Sequence, residues 1–292
     1  MRVDANVSRA GRRGLTRLAV VVVALGAGCC APKEEYAAFA LAGTKYTAAV
    51  GELLDAAGAA QVESTSWALV ADNADKEPPQ LTVEHYRKKA EADRKRLELV
   101  LRLQEHARLL GRYFALLGQL AASDAPEETS KALEEVAVRL TTVEKQIQVP
   151  EVSAGLGRLA VDAGIHGALR RELESRQTVI RRELELQAVL LGHLQEQIEH
   201  ARQLRREIEE SEVIIKPWQE KQPMSSPERW VARRTRLYTG ATTAAMLGEA
   251  RQASREMKEA FEALIAGKLT LARINAVIVQ LDRLAEAAAR LR

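Results

Sequence analysis

The sequence predicts an all-α fold, an elongated antiparallel helical bundle with coiled-coil-like seams. Three observations carry that expectation. Ala, Leu, Glu and Arg dominate, while aromatic residues make up only 4% of the 292 positions, the composition of long helices. The prolines beyond Pro32 fall into clear breaks at Pro78-Pro79, Pro126, Pro150 and the group Pro217, Pro223, Pro227, so long stretches between them are free of helix breakers. Within those stretches apolar residues recur at steps of three and four, a seam with a period of about 3.5 residues.

Taken in order, the punctuation predicts helices over 33–72, 81–122, 125–148, 151–214 and 226–292, the last with a break near Gly267. At about 1.5 Å per residue the longest would approach 90 Å. The stretch "SDAPEE" supplies Ser123 or Asp124 as a cap, Pro126 in the first turn and acids beside the helix N-terminus; "SSPERW" repeats that logic from Ser225. The seam of the second helix reads Leu99, Leu103, His106, Leu110, Tyr113, Leu117, Leu120. In the fourth it reads Leu173, Ile180, Leu184, Leu191, Leu194, Ile198, Ala201, Ile208. In the fifth it reads Ala260, Leu264, Gly267, Leu271, Ile274, Ile278, Leu281, Ala285, Ala288.

The fourth helix carries a short repeat, "RRELE" at 170–174 and 181–185 and "RREIE" at 205–209. Its leucines and isoleucine lie on the seam. Its charges are expected on a solvated flank, in pairs such as Glu172 with Arg176. Small residues at Gly157, Ala160, Gly164 and Ala168, and again at Gly240, Ala244 and Gly248, predict close helix crossings.

Chemistry-bearing patterns are scarce. His193 and His200 lie seven apart, but Gln197 and Leu190 stand where a di-iron bundle needs its paired glutamates. The sequence has no nucleophile elbow, phosphate loop or haem-attachment motif. The expectation is a protein that is not an enzyme and uses no cofactor or metal.

The N-terminus is the most informative segment. Arg2, Arg9, Arg12, Arg13 and Arg17 precede an apolar run, Leu18 to Gly28, which ends in small residues and the chain's only two cysteines, Cys29 and Cys30. A basic start, a short apolar core and a small-residue end make a secretory signal peptide, and the run is shorter than the roughly 20 residues a transmembrane helix needs. Adjacent cysteines cannot staple distant segments. The tetrapeptide Gly26-Ala27-Gly28-Cys29 resembles the lipobox of bacterial lipoproteins, with Gly26 where that family prefers an aliphatic residue. The resemblance covers only this segment. It implies a signal over 1–28, palmitate-type lipid on Cys29, a tether over 29–32 and a helical bundle over 33–292. It also implies an address on the periplasmic face of the outer membrane, with the membrane itself as a partner.

The chain holds 43 Lys and Arg against 40 Asp and Glu, and the first 28 residues hold five and one of these, leaving a formal charge of −1 beyond them. The basic balance therefore belongs to the signal and does not point to nucleic acid. Two basic stretches remain, "HYRKKAEADRKR" at 85–96 and "RWVARRTR" at 229–236, both beside predicted turns and so at a bundle end. Trp218, in the loop expected at 216–224, joins Arg229, Trp230, Arg233 and Arg234 as candidate partner contacts. The function expected is structural or tethering, with an unidentified protein or envelope partner. The alternative is a helical protein that binds or remodels lipid.

Overall fold

The computed structural model describes residues 31–74, 81–122, 126–147, 159, 160, 162, 165, 167–219, 226–239 and 243–291. Among them are no strands, only helices: α1 (Ala31–Ala74), α2 (Val83–Ala122), α3 (Pro126–Ile147), α4 (Gly167–Glu209), a π-helical segment (Glu210–Ile215), α5 (Lys216–Gln219), α6 (Pro227–Thr239), α7 (Thr243–Ile265) and α8 (Leu271–Ala289). No described helix is long and apolar enough to cross a membrane.

Helix α1 is the mast of the bundle. Its buried positions, among them Tyr36, Phe39, Ala42, Tyr46, Ala49, Val50, Leu53 and Leu54, cover more than one stripe. A helix apolar over so wide an arc must be covered from several sides, and α2, α4, α7 and α8 all pack on it. Polar contacts fix the directions. Gln104 donates to Asp55 at 2.6 Å and Thr65 to Asp93 at 2.8 Å, so α2 runs antiparallel to α1. Arg205 of α4 pairs with Glu63 of α1 at 2.7 Å, and Arg176 of α4 lies 4.0 Å from Glu134 of α3. Ser254 donates to the Leu184 carbonyl at 2.8 Å and Arg181 to Glu262 at 2.9 Å, which sets α7 antiparallel to α4. Lys45 of α1 pairs with Asp282 of α8.

The core is densest in the half of α1 near its N-terminus. Phe39 meets Phe114 edge-on and stacks on Phe261, with centroids 5.6 Å apart in both pairs. These are the chain's three phenylalanines, drawn from α1, α2 and α7. Gly43 makes the crossing possible, because a Cβ there would overlap the Phe114 ring.

The seams come out largely as expected and fail where the chain turns. In α2 the buried set is Leu103, His106, Leu110, Tyr113, Leu117 and Leu120, but Leu99 is exposed and Val100 buried in its place. The fourth predicted helix starts late. Residues 151–158 lie outside the described residues; Leu159, Ala160, Asp162 and Ile165 are not helical, and α4 begins at Gly167. The reason is tertiary: the Leu159 N–H donates to the Gln177 side chain at 2.8 Å, and the Asp162 N–H donates to the Ile265 carbonyl at 2.9 Å. The small-residue crossing expected there is therefore absent at the exposed Ala160, while Gly157 and Gly164 lie outside the described residues. In α7, by contrast, Ala244 is buried and Gly248 lies against Gln195 of α4. Gly240 lies outside the described residues.

The single helix expected over 226–292 is three. Contacts to the π-helical segment hold α6, whereas α7 packs on α4, so the two follow different partners. Between α7 and α8 the chain reverses at Gly267, whose φ of +64° suits a residue without a Cβ. The Ala263 carbonyl accepts from Lys268 and Leu269 there, and Thr270 caps α8 by accepting from the Arg273 N–H at 3.3 Å. Gly267 and Leu271 accordingly leave the seam and are exposed. The tether expected over 29–32 is also shorter, since Ala31 and Pro32 already belong to α1, where proline is tolerated in the first turn. Cys29 lies outside the described residues.

Candidate contact surface at the far end

The aromatic residues divide cleanly between the two ends. Tyr36, Tyr46, Tyr113 and the three phenylalanines are buried in the core. The remaining five aromatic residues, Trp67, Tyr86, Trp218, Trp230 and Tyr238, include every tryptophan of the chain. The α1–α2 register puts Trp67 and Tyr86 at the end where α1 finishes and α2 begins. Arg205 reaches the same end, with its guanidinium 5.8 Å from the Trp67 ring centroid.

The π-helical segment organises this end. Its wider turn is closed by the Lys216 N–H bonding the Ser211 carbonyl, five residues back. The wide turn shifts the phase of the helix. Ile214 is buried, Ile215 is exposed, and Trp218 emerges 61% exposed. The stretch expected as a loop at 216–224 is thus helical through Gln219, and residues 220–224 lie outside the described residues. Ser226 caps α6 by accepting from the Arg229 N–H at 3.3 Å, with Pro227 in the first turn as the sequence pattern requires.

Helix α6 is clamped by its aromatics and leaves Arg229, Arg233 and Arg234 to solvent. The Trp230 indole donates to the Ile214 carbonyl at 3.2 Å and meets Trp218 edge-on at 5.8 Å. Tyr238 donates to Glu210. Arg206 lies 4.6 Å from the Tyr238 centroid, and Arg234 lies 5.4 Å from it and 6.0 Å from Trp230. Stacking on a ring orients a guanidinium while leaving its edge donors open. Arg229, Arg233 and Arg234 are exposed. All five predicted contact residues therefore come together at one end, joined by Arg206, Tyr238 and Trp67, which the sequence reading did not single out. For Tyr238 and Trp67 the cue was the scarcity of aromatics; Arg206, one of the repeat arginines, carried none.

A second polar cluster lies inside the bundle. His106 of α2 and Glu183 of α4 are fully buried and paired, and Gln187 Nε2 lies 2.6 Å from His106 Nδ1. In this arrangement the amide donates to Nδ1 and Nε2–H donates to the carboxylate. Glu172 is buried too, paired with Arg176 at 3.1 Å. Burial holds its carboxyl above the ordinary glutamate value, against the pull of Arg176. The charges of the "RRELE" repeats were expected on a solvated flank. Glu172, Arg181, Glu183 and Glu209 are instead buried; α2, α3 and α7 close over the first three, while Glu209 pairs with Arg205 beside α1. His106 with Glu183 has the composition of an acid–base pair, but both are sealed from any substrate. His193 and His200 are exposed. An open groove between α1 and α2 is lined by Thr44, Gly51, Glu52, Asp55, Glu105 and Arg108 among others, and these gather no convergent reactive set.

The chain matches no protein-family model, no curated protein and no solved structure.

Proposed function

We propose that the protein is a lipid-anchored envelope protein with a non-enzymatic tethering role, held at Cys29 and making its contact at the opposite end of the bundle. The observation that supports this reading is the span of α1. It starts two residues after Cys29 and runs 44 residues without a break, about 65 Å at 1.5 Å per residue, to the end that carries Trp67, Trp218, Trp230 and the exposed arginines. Anchor and contact surface are thus separated by one rigid, centrally packed helix. The two or three acyl chains of a lipidated cysteine hold stably, where one chain alone holds weakly.

Palmitate labelling with membrane fractionation tests the anchor. Wild type and Cys30→Ser are expected to label and sediment with membranes, and Cys29→Ser to lose both. Labelling that survives Cys29→Ser and vanishes in Cys30→Ser would move the anchor by one residue. A wild type without label would remove the anchor. A photo-crosslinker placed at residue 218 is expected to capture a partner that one at residue 37, near the other end, does not.

A further inference from the structure

The chemistry of the far end goes beyond a generic contact surface. We propose that it docks on an anionic phospholipid bilayer, through Trp218, Val231 and Tyr238 at the headgroup level and Arg229, Arg233 and Arg234 on the phosphates. The identity of that bilayer, one facing the anchored membrane about 65 Å away, rests on the reading above; the lipid contact itself does not.

Three features of the surface select this partner. The first is the kind of apolar group exposed. Trp218 is 61% exposed, Val231 55%, Tyr238 47% and Ile215 44%, and tryptophan and tyrosine are the residues that sit with an apolar body in lipid and a polar edge in water. A soluble polyanion held by charge alone would give no reason to keep them in water. The second is charge. Along α6 four arginines stand against one acid, Glu228, and the basic stretch that opens α2 begins at the same end. Glu63 and Glu209 pair with Arg205, and Glu210 accepts from Tyr238. From 205 to 239 eight basic residues stand against six acidic ones, so the excess of positive charge lies on α6 itself. The third is the form of the cation. Arginine presents a planar set of donors that matches phosphate oxygens, and stacking on Trp230 and Tyr238 holds Arg234 beside the rings that would enter the headgroup layer.

All three tryptophans lie at this end, so their fluorescence reports on it without a label. The test uses the full chain with Cys29→Ser and Cys30→Ser, which carries no lipid, so it stands or falls independently of palmitate labelling. Vesicles of phosphatidylcholine alone are compared with vesicles that also contain phosphatidylglycerol. The N-terminal segment, with five arginines before the apolar run at 18–28, also favours anionic vesicles, so the far end is read through its own tryptophans and through the Arg229 and Arg233 substitutions. The expected result is a blue shift and protection from aqueous quenchers on anionic vesicles only, reversed by high salt. Each arginine near an anionic surface contributes about fivefold in affinity, so Arg229→Gln with Arg233→Gln should weaken binding about 30-fold. Trp218→Ala should reduce the shift with the helical signal unchanged. Equal spectra on both vesicle types, or binding indifferent to the arginine substitutions, would overturn the proposal. So would a response to a soluble polyanion with none to vesicles.

Discussion

Replacing His106 by Leu should be among the most damaging single changes in the molecule. The substitution removes a fully buried imidazole and leaves Glu183, also fully buried, with one oxygen that lacks a hydrogen-bond partner already and a second that has lost its donor. Breaking a buried pair from one side costs about 3–5 kcal/mol, because the partner left behind is stranded in a poorly polarisable interior. Domains of this kind hold about 5–15 kcal/mol in total, so a fifth or more of the stability would go. With a urea slope of about 3 kcal/mol per molar, the unfolding midpoint should fall by about 1–1.7 M. The informative variant is the double one, His106→Leu with Glu183→Leu. It removes both members of the pair and fills their space with hydrocarbon, and such replacements of buried pairs are near neutral. Gln187 is then left without its imidazole, a loss of about 1–3 kcal/mol, so the double variant should lie within about 3 kcal/mol of the wild type, far short of the sum of the two single losses. Circular dichroism through a urea series measures the wild type, the single variants His106→Leu and Glu183→Leu, and the double variant. Strictly additive single effects, or a His106→Leu variant as stable as the wild type, would refute the buried-pair account.

Two further outcomes concern titration. Burial raises the Glu172 carboxyl, so the folded chain holds that proton more tightly than the unfolded one, and the associated stability is full at low pH and lost as pH rises through the raised value. Glu172→Gln should therefore gain stability relative to the wild type as pH is raised from about 4 to about 7, read as the difference in urea midpoints. Tyr36, Tyr46 and Tyr113 are likewise pushed up by burial, so their phenolate absorbance should appear only together with alkaline loss of helix.

Much of this architecture is written locally. The bounds of α2 and α3 fall within two residues of their sequence reading because Thr82 and Pro126 punctuate them; the Thr82 hydroxyl accepts from the His85 N–H at 3.1 Å. What the sequence does not display is tertiary capture. The segment before α4 has the small, apolar composition of a helix, yet distant groups on α4 and α7 take its N–H donors. The repeat copies look alike, but Glu183 meets His106, 77 residues away, while Glu207, at the same place in the third copy, is exposed. The five contact residues were legible as basic and aromatic. Their convergence depends on a π-helical turn that changes the phase of α4, and no periodicity announces that turn.

The central position of α1 bears on how the chain can acquire its structure. The helix made first is the one that every later layer must cover, and its last cover is made last: Lys45 and its partner Asp282 are 237 residues apart. Contacts so distant in sequence are formed late and slowly. Until α8 has been synthesised, one flank of the mast has no neighbour, and a partly covered apolar helix invites association with other chains. A stop codon that removed α8 alone would trim a short terminal piece by length, yet it would hold the product at that incomplete stage permanently. The α1–α2 hairpin, the most extensive packing in the molecule, can thus form as the chain is made, while the last flank of α1 closes only once α8 is present.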